Sequence, residues 1–360
     1  MSYASPKTQK AARLDAEGNH DEAVILLTQA AEAGDLHART QLGKRLLVGD
    51  RAPRMPKLGA MMVLESAQEN DAEAVASMAV LQCLGIFQNK NWQDALNSLT
   101  HAARLGWKPA RMQLVLLTPE NLEGDLFEIV STGNDSLWLQ LAKSIDINSW
   151  FRIPAGTVLA DSPMVVTFSD FIPEKCQQFL IEVAQNKLQP SFNPDPAYMR
   201  NYNAEVSTYA LAQIGLAEND FLHFLLQERM SKACGIPMNH MEGMSVLNYQ
   251  SGQEFSAHCD YFDPQSLPGR HEINEHGQRL ITFLTYLNDD YEGGETVFTQ
   301  LGISHKAKAG DALYFVNARQ DGSVDPRTQH AGAPVVSGQK WVLSQYFRSR
   351  PLGFISGVQP

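Results

Sequence analysis

Cysteine, long apolar runs and excess positive charge are all scarce in this chain, and each scarcity removes a class of protein. The four cysteines, Cys83, Cys176, Cys234 and Cys259, are scattered without a Cys-x-x-Cys pair, so neither a disulfide framework nor a zinc site is indicated. No apolar stretch approaches the ~20 residues needed to span a bilayer, and no signal-peptide-like apolar segment follows Met1. The expectation is a cytoplasmic protein with no membrane role. Acidic residues outnumber basic ones in both halves, 18 to 14 over residues 1–150 and 22 to 15 over 151–360, for a net charge of −11. With no basic face to collect phosphates, nucleic acid is not an expected partner, whereas a basic protein is compatible. A hydrophobic fraction of 44% over 360 residues suits a globular chain of two domains.

The two halves are written differently. Residues 1–117 are rich in Ala and Leu and carry a repeat of 36 residues (67 − 31 and 103 − 67): Ala31/Ala67/Ala103, Gly34/Asn70/Gly106, Ala38/Ala74/Ala110 and Leu42/Met78/Leu114 align. Ala23/Gly59/Ala95 and Leu27/Val63/Leu99 follow the same spacing. Small residues at fixed intervals let paired helices approach closely, and apolar residues between them fill the seam. About three helical pairs are predicted, with 118–164 as a connecting region.

From residue 165 the pattern is of short strands separated by turns. Arg279–Leu287 and Ala312–Val316 are apolar runs of strand length, while Asn288–Gly294 and Lys308–Asp311 have turn chemistry. Such spacing predicts an all-β barrel rather than βαβ units. Within it, His258-Cys259-Asp260 places an imidazole and a carboxylate two residues apart, on one face of an extended chain. A distant second imidazole, His330, would complete a 2-His-1-carboxylate set, which leaves metal positions open as a non-haem Fe(II) oxygenase requires. The step from His330 to Lys340 crosses Ser337-Gly338 and is expected to return on the neighbouring strand, bringing an ammonium near the metal for an incoming carboxylate. His271 and His276 lie in what reads as a polar Pro/Gly loop, Asp263–Gly277, and are expected to be solvated rather than a second metal site.

Residues from about 165 to 350 resemble the prolyl 4-hydroxylase branch of the Fe(II)/2-oxoglutarate dioxygenases. The matching motifs are Asn248-Tyr249-x-x-Gly252-Gln253-x-Phe255-x-x-His258-x-Asp260, Arg279-x-x-Thr282-x-Leu284-x-Tyr286-Leu287, Gly293-Gly-Glu-Thr296-x-Phe298, Gly310-Asp-Ala-Leu313 and His330-x-Gly332-x-Pro334-Val335-x-x-Gly338-x-Lys340-Trp341. The resemblance implies a double-stranded β-helix, or jelly roll, that binds Fe(II) and 2-oxoglutarate, consumes O2 and hydroxylates a C–H bond, releasing succinate and CO2. It implies iron ligation by His258, Asp260 and His330, and pairing of Lys340 with the distal carboxylate of 2-oxoglutarate. Tyr249, Tyr286 and Thr296 match cosubstrate-pocket positions, with ordinary core packing as the alternative. Arg279, Glu242, Tyr346 and Arg348 match positions near the peptide-substrate face, with structural ion pairs or hydrogen bonds as the alternative. The chain departs from the pattern where many relatives have Arg-x-Ser over the substrate, since the nearest match is Arg200-Asn201-Tyr202, and where Phe255 replaces a tyrosine. Both departures bear on substrate identity.

The run Ala30 to Gly43, Ala-Ala-x-x-Gly-Asp-x-x-Ala-x-x-x-Leu-Gly, resembles the Sel1-like branch of the tetratricopeptide superfamily. The whole chain is thus expected to be an α+β protein of two domains: a helical-repeat solenoid over 1–117 and a dioxygenase domain over 165–360 with supporting helices. The expected reaction is hydroxylation of a prolyl residue in a peptide or protein, with ascorbate as a reductant for the iron. The repeats would recruit that substrate or pair two copies as a homodimer. Two other readings remain open: the same iron chemistry on another side chain or a small molecule, and a non-catalytic partner-binding scaffold or sensor.

Overall fold

The computed structural model describes residues 5–119, 122, 124–190, 208–214, 220–319 and 321–352. They fall into two compact units, one containing residues up to Phe151 together with 220–227, the other containing 152–214 and 228–352. The stretch 118–164, expected as a connector, therefore divides at Phe151. Its helices pack with the repeats, and its first strand joins the β unit.

In the first unit α1 (Pro6–Ala16) precedes three helical pairs: α2 (His20–Glu32) with α3 (Leu36–Val48), α4 (Pro56–Gln68) with α5 (Ala72–Leu84), and α6 (Trp92–Arg104) with α7 (Lys108–Leu117). The first helices start 36 residues apart (56 − 20 and 92 − 56), as do the second ones. Gly34, Asn70 and Gly106 all have positive φ (90°, 61° and 96°), so the repeated position is the left-handed residue that turns the chain between the helices of a pair. Asp35 and Asp71 then cap the second helices, accepting from Ala38 N at 3.0 Å and Ala74 N at 2.9 Å. Gly43 and Gly59 mark where α3 and α4 cross. A Cβ on Gly59 would stand 2.5 Å from the Gly43 carbonyl, so the backbones meet with no room for a side chain. Three further helices follow: α8 (Leu126–Thr132), α9 (Asp135–Ser144) and α10 (Ile147–Trp150).

The second unit is built on antiparallel sheets. Among the described residues, the larger has the order β1 (Thr157–Asp161), β2 (Met164–Phe168), β11 (Ala312–Val316), β7 (Arg279–Tyr286), β14 (Gln339–Arg348), β5 (Met244–Gln250), β4 (Ala210–Ile214), β3 (Gln189–Pro190). The smaller has the order β10 (Ile303–His305), β9 (Thr296–Phe298), β12 (His330–Gly332), β6 (Phe255–His258). A two-stranded ribbon pairs β13 (Val335–Ser337) with β8 (Glu292–Gly293). The non-consecutive neighbours in both large sheets are those of a jelly roll.

The central strand β7 is buried along its whole length, which is why its sequence lacks polar alternation. One face carries Leu284 and Tyr286 into a core with Phe298, Phe315 and Val342. The other turns Phe283 against Phe171 at 5.2 Å. α11 (Glu174–Gln185) buries Cys176, Leu180 and Ala184, and α12 (Phe221–Cys234) begins at residues that group with the helical unit.

One expected loop is a helix. Within Asp263–Gly277, α13 (Leu267–His276) is started by Ser266, whose hydroxyl accepts from Gly269 N at 3.0 Å, and by Pro268 in its first turn. It stops at Gly277, whose φ is +80°. A Pro/Gly-rich composition concealed a capped helix whose ends are what those residues supply.

Candidate metal centre

Strand register brings the two histidines together. His330 on β12 is the direct Cα partner of His258 at the end of β6. Their rings lie 4.3 Å apart, and Asp260 follows two residues later with its oxygens 3.4 Å from His258 Nε2 and 3.5 Å from His330 Nε2. The three side chains are buried, and one donor atom from each lies within 4.8 Å of the others.

Each ligand is oriented from behind. His258 Nδ1 donates to the Ser256 carbonyl at 2.7 Å, and His330 Nδ1 donates to the Thr328 carbonyl at 3.0 Å. A carbonyl only accepts, so both rings carry a proton on Nδ1, which leaves Nε2 as the atom each ring turns toward Asp260. Phe255 stacks on His258 at 3.7 Å, and Phe315 meets His330 edge-on at 4.6 Å. Thr282 donates to Asp260 Oδ2 at 2.6 Å. Burial works against ionisation of Asp260, but the two imidazoles and the Thr282 hydroxyl outweigh it and hold the carboxyl well below the usual range. Burial pushes the His330 imidazole down to about 4. An ionised carboxylate beside two imidazoles whose Nε2 atoms converge on it is the donor set that a divalent metal such as Fe(II) takes.

Lys340 reaches the same recess by another route than expected. After β12 the chain forms β13, which pairs with β8, and only then enters β14. Lys340 therefore comes from the opposite sheet, not the strand beside His330, because the Pro334 to Gly338 segment carries the chain across the barrel. Alternation along β14 turns Lys340, Val342, Ser344 and Tyr346 toward a recess that His258, Asp260 and His330 also line. Lys340 is 3% exposed, pairs with Tyr249 across β5, and donates from Nζ to the Gly294 carbonyl at 2.7 Å. Gly294 has φ +68°, and a Cβ there would press on Tyr291 and the Lys340 stem. Burial, with Lys306 nearby, lowers the Lys340 ammonium to about 7.

Tyr249 and Thr296 line the recess, whereas Tyr286 stands behind it, its hydroxyl 2.8 Å from Thr296 Oγ1. The four residues expected near a peptide substrate separate. Tyr346 lines the recess with its hydroxyl 3.5 Å from Asp260 Oδ1. Arg279, Glu242 and Arg348 instead form a buried ion-pair group. Glu242 accepts from Arg279 Nε at 2.8 Å and Nη2 at 3.0 Å, and meets Arg348 Nε at 2.5 Å. The two arginines overcome the effect of burial and hold the Glu242 carboxyl below its ordinary value. Arg279 is not idle toward the site, since its guanidinium lies 3.7 Å over the Tyr346 ring. Arg200-Asn201-Tyr202 lies outside the described residues.

Thr282 and Asn317 were missed as members of this centre. Thr282 could have been found as a hydroxyl within the largely apolar strand run, spaced by three from Arg279. Asn317, which donates to Thr282 Oγ1 at 2.8 Å, follows a strand end and gives no sequence signal.

Residues 244–348 match a family model described as the 2OG-Fe(II) oxygenase superfamily. Probable prolyl 4-hydroxylase 3 of Arabidopsis thaliana is 30% identical over 208 residues, spanning 52% of this chain and 70% of that protein. Viral collagen prolyl hydroxylase from Paramecium Bursaria Chlorella virus-1, solved with 2OG, is 23% identical with a TM-score of 0.42, covering 53% of this chain and 98% of that one. A Sel1 repeat protein from Oxalobacter formigenes is 20% identical with a TM-score of 0.29, covering 40% and 59%. On the motifs, the donor set and the Arabidopsis relative, the chain belongs to the 2OG-Fe(II) oxygenase superfamily, in its prolyl 4-hydroxylase branch.

Proposed function

We propose that this chain hydroxylates a prolyl residue of a peptide or protein as an Fe(II)- and 2-oxoglutarate-dependent dioxygenase, consuming O2 and releasing succinate and CO2. One observation carries the reading: His258, Asp260, His330 and the buried ammonium of Lys340 share a single recess. His258 Nε2, His330 Nε2 and an Asp260 oxygen would hold the iron. When bound, that metal supplies open positions for cosubstrate and O2 and the oxidising power for a C–H bond.

The chain's own residues bind, orient and shield. Among the described residues Lys340 forms no salt bridge, its Nζ donating to the Gly294 carbonyl, and the distal carboxylate of 2-oxoglutarate would supply the missing partner. Thr296 and Tyr249 shape that end of the recess, while Leu247, Leu284 and Val342 keep water from it. Tyr346, held by the Arg279 guanidinium, faces the metal ligands where a substrate side chain would enter. The prolyl assignment is supported by the name of the Arabidopsis relative. The helical repeats would recruit the polypeptide substrate or pair two copies, which sedimentation with and without peptide separates.

The test is succinate release by purified protein with Fe(II), 2-oxoglutarate and ascorbate, with and without proline-containing peptides, against His258→Ala. Peptide-stimulated succinate, with one oxygen added to proline by mass spectrometry, is the expected result. Succinate no higher than that of the variant under every condition would sink the reading.

A further inference from the structure

Behind Asp260 the structure arranges two polar side chains whose protons have one consistent order. Asn317, just past β11, is 0% exposed, and Thr282 on β7 is 1% exposed. Asn317 Nδ2 donates to Thr282 Oγ1 at 2.8 Å, and Thr282 Oγ1 donates to Asp260 Oδ2 at 2.6 Å. The reverse order fails on chemistry alone. An ionised carboxylate only accepts, so the Thr282 proton must lie toward Oδ2. Thr282 then has only lone pairs to offer Asn317, and the amide nitrogen, not the amide oxygen, must face it.

That assignment has a cost that remains visible. Among the described residues Asn317 Oδ1 has no hydrogen-bond partner, and it is buried. An orphaned acceptor of this kind is destabilising, a penalty that a leucine of similar size would not incur. What Asn317 contributes in return passes through its nitrogen. A hydroxyl that must accept from one side and donate to the other has a single rotor position, and the carboxylate it meets is fixed in its plane. Oδ2 is anchored by Thr282 and lies 3.5 Å from His330 Nε2, while Oδ1 meets its Tyr346 partner only at 3.5 Å and lies 3.4 Å from His258 Nε2.

We propose that Asn317 is a positioning residue of the metal centre, holding the Asp260 carboxylate through Thr282 in the orientation that completes the donor set with His258 and His330. The proposal rests on the metal-binding reading above and goes beyond it by adding a residue that touches no ligand of the metal itself.

The experiment measures Mn(II) affinity by titration calorimetry, and thermal unfolding without metal, for the 360-residue chain, Asn317→Leu, Thr282→Val and the double variant. Asn317→Leu should unfold at or above the wild-type temperature without metal, yet bind Mn(II) roughly tenfold to a hundredfold more weakly, the range for lost outer-shell partners. The double variant should bind no more weakly than Thr282→Val alone, because the amide acts only through the hydroxyl. Asn317→Ala is read the same way if the leucine variant does not fold. Wild-type affinity in Asn317→Leu, losses that multiply in the double variant, or a parallel loss of metal-free stability would each overturn the proposal. So would failure of both Asn317 variants to fold, which would make the residue structural. A wild-type chain that binds no Mn(II) would instead overturn the metal-centre reading, so the two failures are distinct.

Discussion

Replacing Lys340 with methionine should stabilise the ligand-free protein and at the same time remove its hold on 2-oxoglutarate. Burial, with Lys306 nearby, lowers the Lys340 ammonium from an ordinary 10.5 to about 7. At pH 7 the unfolded chain therefore holds a proton that half of the folded molecules have released. At about 1.4 kcal/mol per pH unit, burying this group costs the fold about 4 kcal/mol at that pH. The sign follows from the proton balance. Between pH 7 and 10.5 the unfolded state binds more protons, so this contribution makes stability rise with pH, and the cost is largest below 7.

Methionine keeps most of the apolar stem and removes the charge, but it strands the Gly294 carbonyl, now 2.7 Å from Nζ, at about 1–3 kcal/mol. The net gain at pH 7 is then about 1–3 kcal/mol, a rise of roughly 2–4 °C in unfolding midpoint per kcal/mol, and it should vanish toward pH 10. Affinity for 2-oxoglutarate should fall at least a hundredfold, since removing one partner of a buried ion pair costs about 3–5 kcal/mol. Thermal unfolding at pH 7 and pH 9.5, with and without Mn(II) and 2-oxoglutarate, reads both effects. A variant that is less stable than wild type at pH 7, or that 2-oxoglutarate protects equally well, refutes the reasoning.

Glu242→Gln leaves two buried guanidiniums facing a neutral amide and should cost about 3–5 kcal/mol at pH 7. Because the folded Glu242 carboxyl sits below its ordinary 4.5, its stabilisation is present above that pH and lost as pH falls through the lowered folded value, so chemical denaturation curves of variant and wild type should converge in acid. Gly59→Ala should destabilise the helical unit by about 1–3 kcal/mol, seen as a lower thermal midpoint, because its Cβ meets backbone on two sides. Deleting residues 1–117 should give aggregated protein on size exclusion. It removes Trp92, whose ring lies 5.6 Å from that of Phe221, and Gln113, whose side chain accepts from Leu222 N at 3.2 Å. A soluble deletion variant with full succinate release would contradict that expectation.

The repeats were legible because their spacing is forced by geometry: a left-handed residue at 34, 70 and 106 and small residues where helices cross leave few substitutes. The jelly roll was legible as strands and turns, and its histidines by their chemistry. What the chain could not show is which sheet a strand joins. Lys340 was placed beside His330 because ten residues with one turn look like a hairpin, whereas β13 diverts the chain to the other sheet. The helix Leu267–His276 was hidden because capping residues and loop residues are the same types. Arg279 and Arg348 were drawn toward the substrate by motif, although only the fold reveals that Glu242 engages both. Phe221–Gln227 carries no mark of belonging with the helical unit.

The pairing of His330 opposite His258 has a kinetic consequence. The two ligands are far apart in the chain, and a slip of one residue between β6 and β12 would turn His330 to the other face of its sheet. A nascent or partly folded chain can offer His258 and Asp260, but not the third donor, until this long-range closure is complete. Tight metal capture therefore belongs to the end of folding. Its rate during refolding would time the closing of the barrel, which no probe of local strand formation reports.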